Sequence, residues 1–440
     1  MKQNNHVAII GGGITGLSAA YLLARKGFSV TIFESAEGLG GLAGSFTLAG
    51  IPVEKYYHFI CHEDDDLVSI IGELGISDKL QWQEAGTSFY INGRIYPFDT
   101  PWDLLRFSPI PFSQRIRFGL HVLISQHRKS WQELDRITAK TWLINHVGQK
   151  AYDMIWRPLL EIKFGAFYDQ ISAAWIWHRI HRVARSRQKM LGMNSYGFLE
   201  QGCATLVDAL LRKLNDFPTF RIRAGCTVDK IQVENQRVRG LQLASQGEIV
   251  PADFVISTVA LPHFLQILGE SGQFASHLAR IEYLGIVCML LQLDRPFTSS
   301  FWLNVNDSRI AFNGIVELTN LNSRPDLGGT HLVYIPFYMH RTDARWKLTD
   351  DEIFEEYTAA LKLIRPDFSP KWVKNWWVSR DLYAQATCSV GFMDIMPDHT
   401  TPVQGLYITD SSQYYPEDRT VSASVRLGRQ VSSLIIDKVG

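Results

Sequence analysis

The chain has 440 residues, 46% of them hydrophobic and 12% aromatic, with 44 basic and 44 acidic side chains that balance to zero formal charge. At roughly 100–200 residues per domain this is two or three domains, each able to bury a core. The composition excludes a disordered chain, a collagen-like repeat and a coiled-coil rod, and the lack of a basic excess argues against nucleic acid as a partner.

The predicted elements begin with a short buried strand at Val7–Ile10, a glycine turn, and a helix over Ile14–Lys26 that Gly27 closes as a left-handed cap. A second strand follows at Ser29–Phe33. This is a βαβ start, and right-handed crossover makes its two strands parallel. Residues 101–190 read as mostly helical and rich in Trp, Arg and His. Short strands are expected at Thr227–Val233, Arg237–Ala244 and Asp253–Thr258. The stretch 281–340 alternates apolar and polar residues as an antiparallel sheet does, in Val287–Leu293 and His331–Tyr338. A last strand at Leu406–Thr409 precedes a helix from about Thr420 to Lys438. Nucleotide-domain features thus recur at the start, middle and end of the chain. The expected architecture is α/β, a Rossmann-like domain (1–62, 196–262 and 386–440) interleaved with a substrate domain (a mostly helical part, 63–195, and an antiparallel sheet, 263–385).

Five cysteines (Cys61, Cys203, Cys226, Cys288 and Cys388) are scattered with no C-x-x-C pair, the usage of a reduced compartment. Three glycines interrupt the apolar start, and the longest apolar run, Leu284–Leu291, is far short of the roughly 20 residues that span a bilayer. The expectation is a cytoplasmic protein, soluble or peripherally attached to a membrane. No sequence feature sets its oligomeric state.

Gly11-Gly12-Gly13-Ile14-Thr15-Gly16 fits G-x-G-x-x-G between strand and helix. Gly11 allows the tight turn, Gly13 lets the backbone approach a pyrophosphate at the helix N-terminus, and Gly16 lets helix and strand pack closely. Glu34 ends the second strand, where a carboxylate can accept from a ribose hydroxyl. Gly40 and Gly41, followed by Leu42, offer a second bend whose amides reach a pyrophosphate or a ribityl chain. At the far end Gly405-Leu-Tyr-Ile-Thr-Asp410 is a strand delivering a carboxylate. The helix N-terminus after it, near Thr420–Ser422, can stabilise the negative charge of a reduced flavin.

These segments, with Asp253-Phe-Val-Ile-Ser-Thr258, resemble the flavin-containing amine oxidase superfamily, and within it the protoporphyrinogen-oxidase-like oxidoreductases. Glu54-Lys-Tyr-Tyr-His58, Trp156-Arg-Pro-Leu-Leu160 with Lys163-Phe-Gly165, Gly202-Cys-Ala-Thr-Leu206 and Tyr415-Pro-Glu-Asp-Arg419 extend the resemblance over nearly the whole chain. The resemblance implies FAD, a two-domain fold and redox chemistry at the flavin. It implies cofactor contacts from Gly11, Gly13, Ile14, Thr15, Gly16, Glu34, Ser35, Gly40, Gly41, Leu42, Val228, Thr258, Asp410, Thr420, Val421 and Ser422. Two departures stand out: Thr409 precedes Asp410 where the family has glycine, and Ser422-Ala423 opens the last helix where Gly-Ala is usual. No flavin-linking motif is evident, so the FAD is expected to be non-covalent, Cys388 being the one residue that qualifies this.

Amine oxidases of the superfamily carry a lysine on a substrate-domain strand, and the corresponding Val287–Asp294 has none. His58, by resemblance near the flavin, is a candidate acid/base. His58 and His62 have the i, i+4 spacing of a metal pair, but no further ligands support them and no metal is expected. Glu317 is a candidate for proton transfer or cation binding, with Asn320 beside it on the same stretch. Tyr57, Trp156, Tyr334 and Tyr338 are candidate substrate-cavity residues. Arg179, Arg182, Arg185 and Lys189 fall on one helical stripe, either a solvated face or a phosphate contact. Trp102–Ser125 mixes Phe, Leu and Ile with Arg106, Arg115 and Arg117, a pattern shared by globular packing and a membrane-surface helix.

Three readings follow. In the first, an FAD-dependent oxidase or dehydrogenase takes a hydride from a small organic substrate. The second is a non-redox flavoenzyme resembling UDP-galactopyranose mutase, and the third a flavin-binding protein without turnover.

Overall fold

The computed structural model describes residues 5–186, 192–245, 247–269 and 272–439. Its first sheet is parallel and five-stranded, in the order Leu406–Ile408, Phe254–Ser257, His6–Ile10, Ser29–Phe33, Phe220–Arg223. Helices cover both faces, which is why its strands read as short apolar runs and not as alternating ones. Counted along the chain the order is 3-2-1-4-5, so direction reverses between His6–Ile10 and Phe254–Ser257. Crevices at such a switch point are where doubly wound sheets bind nucleotides. The glycine turn 11–13 leaves the first strand at that point, and Thr258 ends the second beside it.

Helix Ile14–Arg25 packs against the last helix, Val421–Val439, so closely that a Cβ on Gly428 would lie 2.6 Å from the Thr15 carbonyl oxygen. Gly27, with φ +87°, reverses the chain after the first helix as expected. The predicted strand and helix ends move by one or two residues, the usual fraying of element termini.

The second sheet has seven strands, in the order Val373–Ala386, Tyr283–Leu293, His331–His340, Gly314–Glu317, Trp302–Asn306, Thr87–Ile91, Arg94–Pro97. Every residue of Tyr283–Leu293 is buried. The stretch 101–185 is helical as read: Pro101–Arg106, Phe112–His127, Ala139–Val147, Arg157–Phe164 and Ala173–Arg185, with a π-helical turn at Tyr152–Trp156. Among the described residues, no helix is long and apolar enough to cross a membrane.

Two local expectations are corrected. His58 and His62 do not share a helix, because the chain from 55 to 64 bends instead of coiling. His62 stacks on Trp82 with ring centroids 3.8 Å apart, and the acidic helix start is Asp65–Glu73. The basic stripe is solvated only at its end: Arg182 pairs with Asp64 and Arg179 with Asp418, each at 2.9 Å, while the exposed Arg185 pairs with Glu63. Lys189 lies outside the described residues.

Candidate active site

One cavity of about 1120 Å³ runs from the glycine turn to the helical layer. Its nucleotide end is walled by Gly11, Gly13, Ile14, Thr15, Glu34, Gly40, Gly41, Leu42, Thr258, Asp410, Thr420 and Val421. Gly13 tests whether this end suits a dinucleotide. Its φ of −73° is open to any residue, and a Cβ there would meet nothing closer than 3.8 Å. The fold does not need glycine at that position; a ligand backing onto it does. Gly11 and Gly16 differ, because a Cβ would come within 2.4 Å of Thr258 Oγ1 and 2.1 Å of the Gly11 carbonyl oxygen respectively.

The second glycine bend stands against the first. Gly40 and Gly41 have φ of +104° and +58°, and Gly40 forms a parallel bridge with Gly13. Two sets of backbone amides therefore converge beside the N-terminus of Ile14–Arg25, the arrangement that receives a pyrophosphate. Glu34 Oε2 accepts the Gly12 N–H at 2.7 Å and Oε1 the Ala36 N–H at 2.9 Å, which holds the carboxylate at the mouth where a ribose would lie. The donors and acceptors fit FAD.

Four cofactor candidates lie off this wall. Gly16 serves the helix–strand packing already assigned to it. Val228 is buried at the start of Val228–Glu234, the Ser35 hydroxyl donates to Glu34, and Ser422 Oγ accepts the Leu67 N–H at 3.2 Å. Asp410 does face the cavity, but Ser412, Tyr283 and the Leu261 N–H already occupy its carboxylate, and burial raises its pKa. It braces the turn that follows it.

Beyond the glycine bends the wall becomes aromatic and cationic: Tyr57, Trp156, Trp175, Trp302 and Tyr338, with Lys163, Arg179, Asp418 and Arg419. Tyr57 meets Trp302 edge-on at 5.2 Å. Lys163 rises from helix Arg157–Phe164 on the side of Leu160 and Phe164, and is buried with them. Its amine lies 4.5 Å from the Tyr338 ring centroid and 4.8 Å from that of Trp175. Desolvation lowers its pKa to about 7, with Asp418 pulling the other way and Arg179 and Arg419 adding to the fall. Asp418 is held below the ordinary carboxylate range despite its burial, because Lys163, Arg179 and Arg419 surround it. Lys163, Asp418 and Arg419 entered the sequence reading only inside resemblance motifs. The signal for Lys163 was a cation at helical spacing among Leu159, Leu160 and Phe164, where a bland core helix has none.

His58 is at the edge of the cavity, its Nδ1 3.0 Å from Glu54 Oε1. Glu54 also accepts the Cys203 N–H at 3.1 Å. The three side chains offer ligand atoms within 4.8 Å of one another, a convergence that these hydrogen bonds and the N-terminus of helix Cys203–Asn215 explain.

Glu317, Asn320 and Tyr334 are corrected: none reaches the cavity wall. Glu317 is fully buried and binds the N–H groups of Phe297 and Thr298, at 3.1 and 2.7 Å. Asn320 donates to the carbonyls of Thr298 and Ser300, and the Tyr334 hydroxyl to that of Glu54. Glu317 and Asn320 thus satisfy backbone groups of the loop 297–300, and Tyr334 ties its strand to the end of strand Ile51–Glu54.

Residues 14–435 match the family model described as flavin containing amine oxidoreductase. The chain belongs to this family. Its cofactor is FAD. It is 25% identical over 170 residues to the mitochondrial protoporphyrinogen oxidase of Nicotiana tabacum, covering 38% of this chain and 34% of that protein. The chain thus spans about a third of that curated relative. By fold it is similar to a putative protoporphyrinogen oxidase from Exiguobacterium sp. 255-15, with a TM-score of 0.76 at 17% identity over 99% of both chains. It is equally similar to reduced UDP-galactopyranose mutase, with a TM-score of 0.76 at 17% identity over 99% of this chain and 94% of that one.

Proposed function

We propose that this protein dehydrogenates an elongated, largely apolar substrate that reaches the flavin from a membrane surface. Bound FAD supplies the two-electron acceptor; the chain's own residues bind, orient and shield. The observation that carries this reading is the continuity of the cavity from Gly13 to helix Phe112–His127, where Phe118, Val122 and Leu123 form its wall. The outer face of the same helix is bare. Phe112, Ile116, Leu120, Leu123 and Ile124 recur at helical spacing and are exposed, Phe112 and Ile124 each by 62%, and Trp102 beside them by 57%. Such a stripe is more than a scattered surface apolar residue requires.

Residues 101–130 also carry five basic side chains against the single acid Asp103. An apolar helical face rimmed by Arg and Lys suits an anionic lipid surface. Leu123 belongs to both the exposed stripe and the cavity wall, so a substrate leaving the bilayer enters without crossing water. Glu54 orients His58 through Nδ1, leaving its other ring nitrogen for an acid/base role at the cavity edge. The division into a nucleotide domain built on the parallel sheet and a substrate domain built on the antiparallel one belongs to the same reading.

The test is anaerobic bleaching of the flavin near 450 nm by a lipid extract of the source cells, with and without vesicles. Substrate-dependent bleaching supports dehydrogenation. An extract that turns over only with pre-reduced flavin and consumes no electrons supports mutase chemistry instead.

A further inference from the structure

The cavity holds a charge arrangement that an apolar substrate alone does not explain. Lys163, Arg179 and Arg419 line it within one patch, with Asp418 standing among them and a second carboxylate, Asp381, on the same wall. Asp418 Oδ2 lies 2.9 Å from Arg179 Nη1 and 3.8 Å from Lys163 Nζ, so one acid serves two cations. Arg419 has no share in that pairing through its guanidinium. It donates to the Tyr338 hydroxyl and, at 3.4 Å, to the Ala384 carbonyl, both neutral. Among the described residues no carboxylate comes within 4 Å of its side-chain nitrogens. Asp381, the nearby acid on strand Val373–Ala386, accepts the Tyr383 N–H instead.

With Lys163 titrating near 7 and Asp381 also on the cavity wall, the imbalance is local: among the described residues the Arg419 guanidinium has no carboxylate partner in a largely apolar enclosure. Buried charge of this kind is costly unless something completes it. The aromatic neighbours offset part of that cost: Trp302 lies 5.9 Å from the Arg179 guanidinium, and the Tyr338 ring 4.5 Å from Lys163 and 5.3 Å from Arg419. None of them supplies a negative charge. A planar guanidinium with spare donors beside an ammonium matches a carboxylate or phosphate.

We propose that Lys163, Arg179 and Arg419 form an oxyanion-binding subsite, so that the substrate is an amphiphile whose carboxylate or phosphate head docks there while its apolar body lies toward Trp156 and Phe118. This rests on the proposed apolar substrate but concerns binding, and it can fail separately. The head anchors the molecule at a fixed distance from the glycine bends, which selects the carbon presented to the flavin.

The experiment is a titration of the FAD-loaded protein with laurate, dodecyl phosphate, dodecanol and dodecylamine, below their aggregation limits, followed by the total tryptophan fluorescence, to which the cavity residues Trp175 and Trp302 contribute. The acids are expected to bind at least about tenfold more tightly than dodecanol, and dodecylamine more weakly. The tighter of the two acids names the head group. Arg419→Gln and Arg179→Gln each weaken the acids about 10- to 100-fold, the loss of one charge-assisted contact, with dodecanol unchanged. Arg419→Lys recovers part of the affinity. Arg179→Gln, on an independent helix, carries the test if Arg419→Gln does not retain its flavin. Dodecylamine binding more tightly than laurate, no saturable response to either acid, or acid affinities that both variants leave intact would overturn the proposal. No turnover is measured, so failed dehydrogenation leaves this result standing.

Discussion

Lys163 Nζ and Asp418 Oδ2 lie 3.8 Å apart inside the cavity, one carried by helix Arg157–Phe164 of the helical layer and the other by the segment leading into the last helix. The pair ties the helical layer to the nucleotide end of the chain. Desolvation sets the lysine pKa near 7, so its charge is adjustable at physiological pH.

The sign of its contribution to stability follows. Between about pH 7 and the ordinary lysine value of 10.5, the unfolded chain holds a proton that the folded one has released. Stability from this residue therefore rises with pH across that window and is lowest below it. Subtracting the stability of Lys163→Met from that of the wild type should leave a positive slope, at most about 1.4 kcal/mol per pH unit. Urea melts between pH 6 and pH 9 measure it; a flat difference would show that Lys163 titrates normally.

Gly13→Val should fold and lose its flavin. The protein leaves room for a Cβ here, the nearest atom being 3.8 Å away, whereas a pyrophosphate backing onto the turn would collide with the added side chain. Circular dichroism close to wild type, together with flavin content reduced by tenfold or more, is the expected pair of results. Gly16→Val, by contrast, should fail to fold, because its Cβ would collide with the Gly11 carbonyl.

The flavin should leave on denaturation. Cys388 is buried, is not among the residues walling the cavity, and burial pushes its thiol well up, which makes it a poor nucleophile toward a ring. Acid precipitation ought to yield a colourless pellet and a yellow supernatant; pigment retained by the pellet means a covalent link.

Glu317→Ala should lower thermal stability and spare the chemistry. Its carboxylate satisfies the N–H groups of Phe297 and Thr298, and leaving them unpaired in a buried loop costs about 1–3 kcal/mol. The melting temperature is expected to fall by several degrees while flavin reduction per FAD-loaded molecule stays within about twofold. A drop of a hundredfold in reduction rate, with the flavin retained, would return Glu317 to the active site.

Serine at Phe112 and Ile124 together should release the protein from anionic vesicles. Each removes an exposed apolar side chain whose full burial is worth about 1.5–3 kcal/mol. Co-sedimentation should weaken by tenfold or more at unchanged melting temperature. Equal binding of variant and wild type would place the membrane contact elsewhere.

The nucleotide half was largely legible in the chain because its chemistry is local. Gly11, Gly13 and Gly16 meet one turn, Glu34 ends the next strand, and both requirements are backbone rules that operate within a few tens of residues. The antiparallel sheet expected over 281–340 is present, but not as an alternating one: Tyr283–Leu293 and all but the ends of His331–His340 are buried, because both faces of these strands are covered. Local pattern does not say which face of that sheet meets the cavity. Glu317, Asn320 and Tyr334 looked functional because they are polar or aromatic groups on or beside buried strands, and each proved to bind backbone groups of another segment. Conversely, Lys163 and Arg179 from two helices, Tyr338 from a strand, and Asp418 and Arg419 from the segment before the last helix are separated by up to 256 positions. Only the packing of the helical layer onto the two sheets brings them to one patch. The glycine turns that shape the nucleotide end are thus local, built from backbone geometry. The charge and shape of the aromatic, cationic end come from packing, because desolvation and ion pairing depend on neighbours that no spacing rule connects.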